Sequence, residues 1–573
     1  MLHLGVAGMD PGQRRLNGPQ TTGRTYDNLS QPQFGIDASM MSVSIPMRDG
    51  VELKADVYRP QGAGAAPALF AASPYPRQIQ NSGMPSGFVE AGATDFWVPR
   101  GYAHVIVNLR GTCGSGGSYD FFGPTERQDM FDTVEWIAAQ PWCDGNVGGI
   151  GISAFAMTQF EAAVEAPPHL RAIFAPLATV DLFDAFYHGG VLNALFGLSW
   201  LRAVSAMAGL DDRELRGWLA TAVESALRQP KIHAKFEHFN GEAAMTLMKP
   251  LLRLGGNMPH PFDRLVEAGS IAHQVKDAFW QARDMMPLLD RVTCPTYLAS
   301  DWQNVPVHLP STIAAFRRLP EGTHKRIALL GEFGMTWPWE SLHVEALAWF
   351  DHWIKRRATG ILDGPPVRYV VSGAPDANWR TSATWPPPES IATSFALRAD
   401  GALAMDEGAS GSRCYVYRSP ALAHAPASAP SLLAWSTPPL ASDLYLAGPV
   451  ELELRAASSG GDTAFIAVLQ DVGPDESIVD VTMGCRRAAI SDDGTQLRAV
   501  PAEEPQTYRI ALVDNARCFR AGRSIRLILR GDDSGSPPAM MGFEHAPIGT
   551  ATRVTIHSSS RLTLSLLPTP ASR

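Results

Sequence analysis

Residues 145–163, GNVGGIGISAFAMTQFEAA, read as a short apolar strand that breaks at a glycine-bordered turn and runs on into a helix, with Ser153 at the tip. Such a strand-turn-helix elbow holds a serine hydroxyl out of the chain and needs small neighbours so that the backbone can bend tightly. Gly151 stands two residues before Ser153, as the G-x-S-x-G pattern requires, but Phe155 occupies the place of the second glycine. The same position also suits a plain helix N-cap, so the stretch alone leaves both a nucleophile and a cap open.

The surroundings of this elbow have an α/β rhythm. Residues 41–59, MSVSIPMRDGVELKADVYR, alternate apolar and polar around RDG, which predicts an antiparallel hairpin. The runs APALFAASPY from 66 and YAHVIVNLRG from 102 are short and continuously apolar, as strands buried on both faces of a mostly parallel sheet are. Between them and the elbow, TERQDMFDTVEWIAAQPW has helical spacing at Met130, Val134, Ile137 and Ala138. This βαβ order predicts an α/β domain with its site at the strand C-termini. Residues 181–288 switch to helical patterns without a strong strand signal, which predicts an all-helical cap inserted over that site. Strand character returns at CPTYLASDW and KRIALLGEF, and ESLHVEALAWFDHWIKR closes the domain as a helix. After the Pro-rich WPPPES at 385–390, read as a linker, segments such as VELELRAAS, SIRLILRGD and RLTLSLLP alternate between turn signals, the pattern of an antiparallel β-sandwich. The expected organisation is an N-terminal extension (1–40), an α/β domain (41–180 and 289–380), a cap (181–288) and a β-sandwich of jelly-roll type (391–573).

Composition narrows the function. The 573 residues carry a net charge of -9 and no dense Lys/Arg cluster, so nucleic acid is not an expected partner. A small neutral or cationic molecule is easier to accommodate. The N-terminus lacks a signal-peptide pattern and no stretch approaches 18 unbroken apolar residues, so a soluble cytoplasmic protein without membrane contact is expected. The six cysteines are scattered without CxxC or His/Cys ligand spacing, which reads as reduced thiols rather than disulfides or a metal site; no cofactor is expected. RGTCGSGGSY from 110 lacks the Gly-Lys-Ser/Thr ending of a phosphate loop, and Glu126 and Asp129 fall at a helix start, where they suit the dipole.

The stretches VELKADVYRP, SPYPR, VNLRGTCGSGG, WIAAQPWCDGNVGGIGIS, YHGGVLN, FDHWIKRRATGILDGPPVRYVVSG and WPPP follow one another in the order and spacing of a known family. From about residue 40 to the C-terminus the chain resembles the serine hydrolases that include cocaine esterase, X-Pro dipeptidyl-peptidase, α-amino acid ester hydrolase and glutaryl-cephalosporin acylase (CocE/NonD-like). The resemblance implies an α/β-hydrolase domain, a helical cap and a terminal jelly roll. It places the nucleophile on Ser153 and the oxyanion donors on the Ala154 backbone N–H and the Tyr75 hydroxyl.

The chain departs from the family pattern at the remaining catalytic positions. The motif tyrosine is Ala154 and its last glycine is Ala156. The family aspartate aligns with Asn304, which can orient an imidazole but cannot stabilise imidazolium by charge; in a serine triad such a change can cost about four orders of magnitude. Asp301 is the nearest replacement acid. The family histidine falls on Met335 or its immediate neighbours, and no histidine lies between His324 and His343. His308 is the replacement base with the most suitable position, six residues beyond Trp302. Trp302 and His188 are candidate substrate contacts, while His343 and His352 read as structural. Two functions follow. One is an ester or amide hydrolase or acyltransferase working through a Ser153 acyl-enzyme on a small molecule; the other is a repurposed fold that performs a non-hydrolytic step or only binds. A sandwich edge leaves room for a homodimer.

Overall fold

Strand β3 (Ala66–Ser73) is buried at every residue, as is β4 (Ala103–Asn108), and the two lie parallel at the centre of the first domain. Their continuous apolar runs reflect helices packed on both faces of the sheet. The computed structural model describes residues 24–82, 88–227, 229–232, 271–302, 307–331, 342–375, 379–418, 430–533, 544–549 and 551–568. Around β3 and β4 stand β1 (Ile36–Pro46), β2 (Glu52–Pro60), β5 (Cys143–Gly149), β6 (Leu170–Pro176), β9 (Thr296–Asp301), β10 (Lys325–Leu330), β11 (Val367–Val370) and β12 (Trp379–Ser382). These ten strands form one sheet in the order β1-β2-β4-β3-β5-β6-β9-β10-β11-β12. The run from β4 to β11 is parallel, and antiparallel pairs close both edges. The sheet order matters for chemistry: β3, β5, β6 and β9 are immediate neighbours, so the loops leaving their C-terminal ends meet on one rim.

The hairpin expected at 41–59 forms between β1 and β2, and β1 begins earlier, at Ile36. Part of the expected N-terminal extension packs on the domain: Ser30 donates through N and Oγ to Asp351 of the closing helix His343–Trp353. The cap is not wholly helical. Between Asp181 and its helix Ala194–Ala208 it carries a two-stranded ribbon, β7 (Tyr187–His188) and β8 (Val191–Leu192), turned at Gly189 and Gly190, both with positive φ. Strands of two residues leave no periodicity to read in a sequence. The cap is also tied to the floor by the buried Arg77, whose guanidinium reaches Asp56 in β2 and Asp212 in the cap.

Beyond β12 the chain forms a seven-stranded and a four-stranded antiparallel sheet. Their apolar faces enclose a second core that includes Phe395, Trp435, Leu452, Phe465, Leu527 and Leu564. The stretch at 385–390, expected to be a linker, starts with a buried anchor: Trp385 packs against Trp302 and Tyr369 and donates through Nε1 to Asp514.

Candidate active site

Ser153 follows β5 and precedes the helix Ala154–Glu165, with φ 56° and ψ -118°. A non-glycine residue holds such a backbone only where its surroundings impose it, and such residues cluster at active sites. The surroundings here are visible. Gly151 has φ +115°, and a Cβ added to it would lie 2.5 Å from Phe155 Cβ and 3.1 Å from the Glu90 carbonyl oxygen. The Ser153 side chain makes no capping hydrogen bond to the helix, which removes the N-cap reading.

The hydroxyl instead faces a histidine. Ser153 Oγ lies 3.3 Å from His308 Nε2. His308 sits in the loop after β9, at the start of the helix Leu309–Arg318. Its other nitrogen, Nδ1, lies 2.8 Å from Thr179 Oγ1, in the loop after β6. Thr179 has one hydroxyl proton and donates it to the Val307 carbonyl oxygen at 3.0 Å, so toward the ring it acts as an acceptor. Nδ1 therefore carries the imidazole proton, and Nε2 presents a lone pair to the serine. Burial pushes His308 down to about 3, which keeps the ring neutral. Asp301, the candidate replacement acid, lies buried at the end of β9, and the position it was expected to fill on Nδ1 is held by Thr179.

Tyr75 leaves the end of β3 and is 2% exposed, ringed by Phe88, Phe155 and Trp200. Trp200 of the cap donates Nε1–H to the Tyr75 oxygen at 2.7 Å, which leaves the phenolic hydrogen available to another acceptor. Burial and the nearby Glu90 raise Tyr75 well above its ordinary range, with hydrogen bonds to Trp200 and Ser153 acting the other way, so it is a neutral donor.

Glu90 is the residue that the sequence reading missed. It is 1% exposed, and its backbone N–H donates to Gln80 Oε1 while its carbonyl accepts from Ile152. Burial raises its carboxyl well above the usual carboxylate range, against hydrogen bonds from the Ala154 backbone N–H and the Ser153 side chain. The Glu90 carboxyl thus lies in the neighbourhood of the Ala154 N–H, the backbone donor expected to serve an oxyanion. No motif surrounds Glu90 or Thr179 in the chain; a polar residue in the loop after a buried strand is the one signal that could have marked Thr179.

Above these groups lies an apolar pocket of about 30 Å³, lined by residues that include Phe122, Met157, Leu182, Phe186, Phe196 and Trp200. Trp302, expected to touch substrate, is instead a packing residue: it is 2% exposed and donates Nε1–H to the Val370 carbonyl. His188 is also placed elsewhere, 2.8 Å from His545 at the seam with the sandwich. His343 Nε2 accepts from the Ala93 N–H, a structural role. Asn304 and Met335 lie outside the described residues. Arg110, in the glycine-rich stretch, pairs with Asp129 and Asp49, and Glu126 accepts from the Asp120 and Phe122 N–H groups, so these side chains brace the floor. Among the described residues no set of three or more His, Cys, Asp or Glu is arranged to hold a metal ion, and no helix is long and apolar enough to cross a membrane.

Comparison with known proteins agrees with this architecture. Residues 49–332 match the model of the X-Pro dipeptidyl-peptidase S15 family, and residues 359–539 match the X-Pro dipeptidyl-peptidase C-terminal non-catalytic domain. Cocaine esterase of Rhodococcus sp. (strain MB1 Bresler) is 28% identical over 535 residues, covering 84% of this chain and 89% of the relative. In fold, a CocE/NonD family hydrolase of Staphylococcus aureus superposes with a TM-score of 0.72 at 18% identity, over 93% of this chain and 94% of the other. An α-amino acid ester hydrolase superposes with a TM-score of 0.68 at 18% identity, over 96% and 99%. Matched across both its catalytic and its C-terminal domain, the chain belongs to the cocaine esterase and X-Pro dipeptidyl-peptidase family, and is a hydrolytic enzyme of the serine esterase type.

Proposed function

We propose that this hydrolase cleaves small esters through a Ser153 acyl-enzyme, with His308 as the general base. The observation that carries this reading is the 3.3 Å approach of His308 Nε2 to Ser153 Oγ, which is near hydrogen-bond reach for proton removal and can tighten with substrate bound. Thr179 holds the tautomer that makes Nε2 the acceptor. As Oγ attacks the acyl carbon, its proton passes to Nε2, and negative charge grows on the carbonyl oxygen. The Tyr75 hydroxyl and the Ala154 N–H are the donors for that oxygen, with the buried Glu90 carboxyl close by. His308 then returns the proton to the leaving alcohol, and water repeats the sequence on the acyl-enzyme.

Because Thr179 is neutral, the imidazolium gains orientation from its partner but no compensating charge, and turnover is correspondingly slower than with a carboxylate there. The apolar lining of the pocket, with Phe122, Phe186 and Trp200, suits an apolar acyl group. Incubation with a fluorophosphonate, followed by peptide mass spectrometry, tests the proposal. A single adduct on Ser153 that is absent in Ser153→Ala and slowed in His308→Ala is the expected result. An unlabelled protein, under conditions that label a control serine hydrolase, would refute it.

A second reading rests on Glu90. A buried carboxyl whose titration is shaped by Ser153 and the Ala154 N–H suits proton transfer on a bound molecule without acylation. It predicts no adduct, and loss of turnover in Glu90→Gln.

A further inference from the structure

At the seam between the cap ribbon and the sandwich, four polar side chains meet away from Ser153. Asp533 accepts the His545 backbone N–H through Oδ1 at 2.8 Å, and its Oδ2 lies 2.7 Å from His545 Nδ1. This fixes the ring, leaving Nε2 to face His188 Nδ1 at 2.8 Å and Cys485 Sγ at 3.6 Å. His545 and Asp533 are each 2% exposed, His188 5% and Cys485 7%. Both His188 and Cys485 line a cavity of about 980 Å³ between the cap entrance and the sandwich, so the cluster lies on the wall of an accessible space.

The rest of the chain offers a contrast. Burial pushes the thiols of Cys113 and Cys294 up to about 12 and raises those of Cys143 and Cys518 as well, which makes them inert at neutral pH. Cys485 is as buried as these but has an imidazole oriented by a carboxylate beside its sulfur. That is the arrangement that activates a thiol: a base in reach, and a third group holding the base. Burial acts to lower His545, yet Cys485 and Asp533 outweigh it and raise the ring to about 10. The other charged groups facing the cluster are Arg530, which acts on Asp533, and Asp184 and Arg486 on the cavity wall.

We propose that Cys485, His545 and Asp533 form a second nucleophilic site, at which the Cys485 thiolate exchanges with low-molecular-weight disulfides entering the seam cavity. The thiolate attacks one sulfur of the disulfide; the Cys485 S–S bond forms as the original S–S bond breaks. The departing thiolate takes the proton from His545 Nε2, Cys485 is oxidised to the mixed disulfide, and the leaving sulfur is reduced. Excess low-molecular-weight thiol reverses the exchange. The adduct would stand beside Gly189, whose carbonyl accepts from Arg487 N–H, so modification falls where the ribbon meets the sandwich.

The full-length protein is mixed with 4,4'-dithiodipyridine and the released thiopyridone followed in time. The expected result is one equivalent reacting at least tenfold faster than the rest, mapped by peptide mass spectrometry to Cys485. Cys485→Ser should remove the fast phase, and Asp533→Asn, which unties the His545 ring, should slow it at least tenfold, with Ser153 labelling unchanged in both. A fast phase mapped to Cys414, the partly exposed thiol, or a wild-type protein with no thiol reacting faster than the rest, would overturn the proposal without reliance on any variant.

Discussion

Replacing Thr179 by valine removes one oxygen from the site and keeps its shape. In the native structure that oxygen is the acceptor for His308 Nδ1–H, because its own proton is committed to Val307. In Thr179→Val the Nδ1–H is left buried without this partner, at a cost of about 1–3 kcal/mol to the tautomer that catalysis needs. At 1.36 kcal/mol per factor of ten, kcat should fall roughly 5- to 150-fold. A wholly inverted tautomer in a serine triad costs about four orders of magnitude and sets the ceiling. Thr179 also lines the pocket, but the hydroxyl removed is committed to the ring and to Val307, so the loss should fall on kcat more than on KM. Steady-state hydrolysis of p-nitrophenyl acetate separates the two constants, and fluorophosphonate labelling gives the acylation rate independently. Wild-type kcat in a folded Thr179→Val protein would refute the assignment of Thr179 as the group that sets the tautomer, and with it the route to His308 as base.

Tyr75→Phe should lower kcat by about 10²–10³ with little change in KM, the usual effect of losing one oxyanion donor; stopped assays showing less than a threefold loss would remove Tyr75 from the site. Because burial lowers His308 to about 3, the neutral, active ring persists as pH falls through the ordinary value near 6.5. The acid limb of kcat/KM should therefore lie below 6.5, and the stability linked to this residue, present above 6.5, should decline as pH drops from there toward 3; a limb at or above 6.5 contradicts this. Glu90→Gln keeps the shape and neutrality that burial favours, so it should retain kcat within about threefold at neutral pH, and a hundredfold loss would instead assign Glu90 a proton-transfer role. Arg77→Met strips a cation from the fully buried Asp56, which Arg216 still pairs, so a cost near the low end of the usual range, about 3 kcal/mol, is expected in urea melts.

The position of Ser153 was legible because an elbow is a local device. A strand, two small residues and a helix follow one another in the chain, and the strain at Ser153 is imposed by Gly151, Phe155 and Glu90 within and beside that turn. His308 was legible only as a candidate, since a histidine in a loop six residues past Trp302 has no pattern of its own. Trp302 was misread because an aromatic near a predicted site looks the same whether it faces substrate or, as here, Val370 and Trp385.

By itself the sequence determined the α/β domain, the elbow, the inserted cap and the terminal sandwich, because period and continuity of apolar residues report which faces of a strand or helix are buried. Only the tertiary structure decided the chemistry around Ser153. His308 stands 155 residues away, the Thr179 that partners its ring follows β6, and Tyr75 and Glu90 lie on segments far upstream. They meet because hydrogen bonding orders the strands β3-β5-β6-β9 side by side and brings their C-terminal loops to one rim, a neighbourhood that chain spacing does not encode.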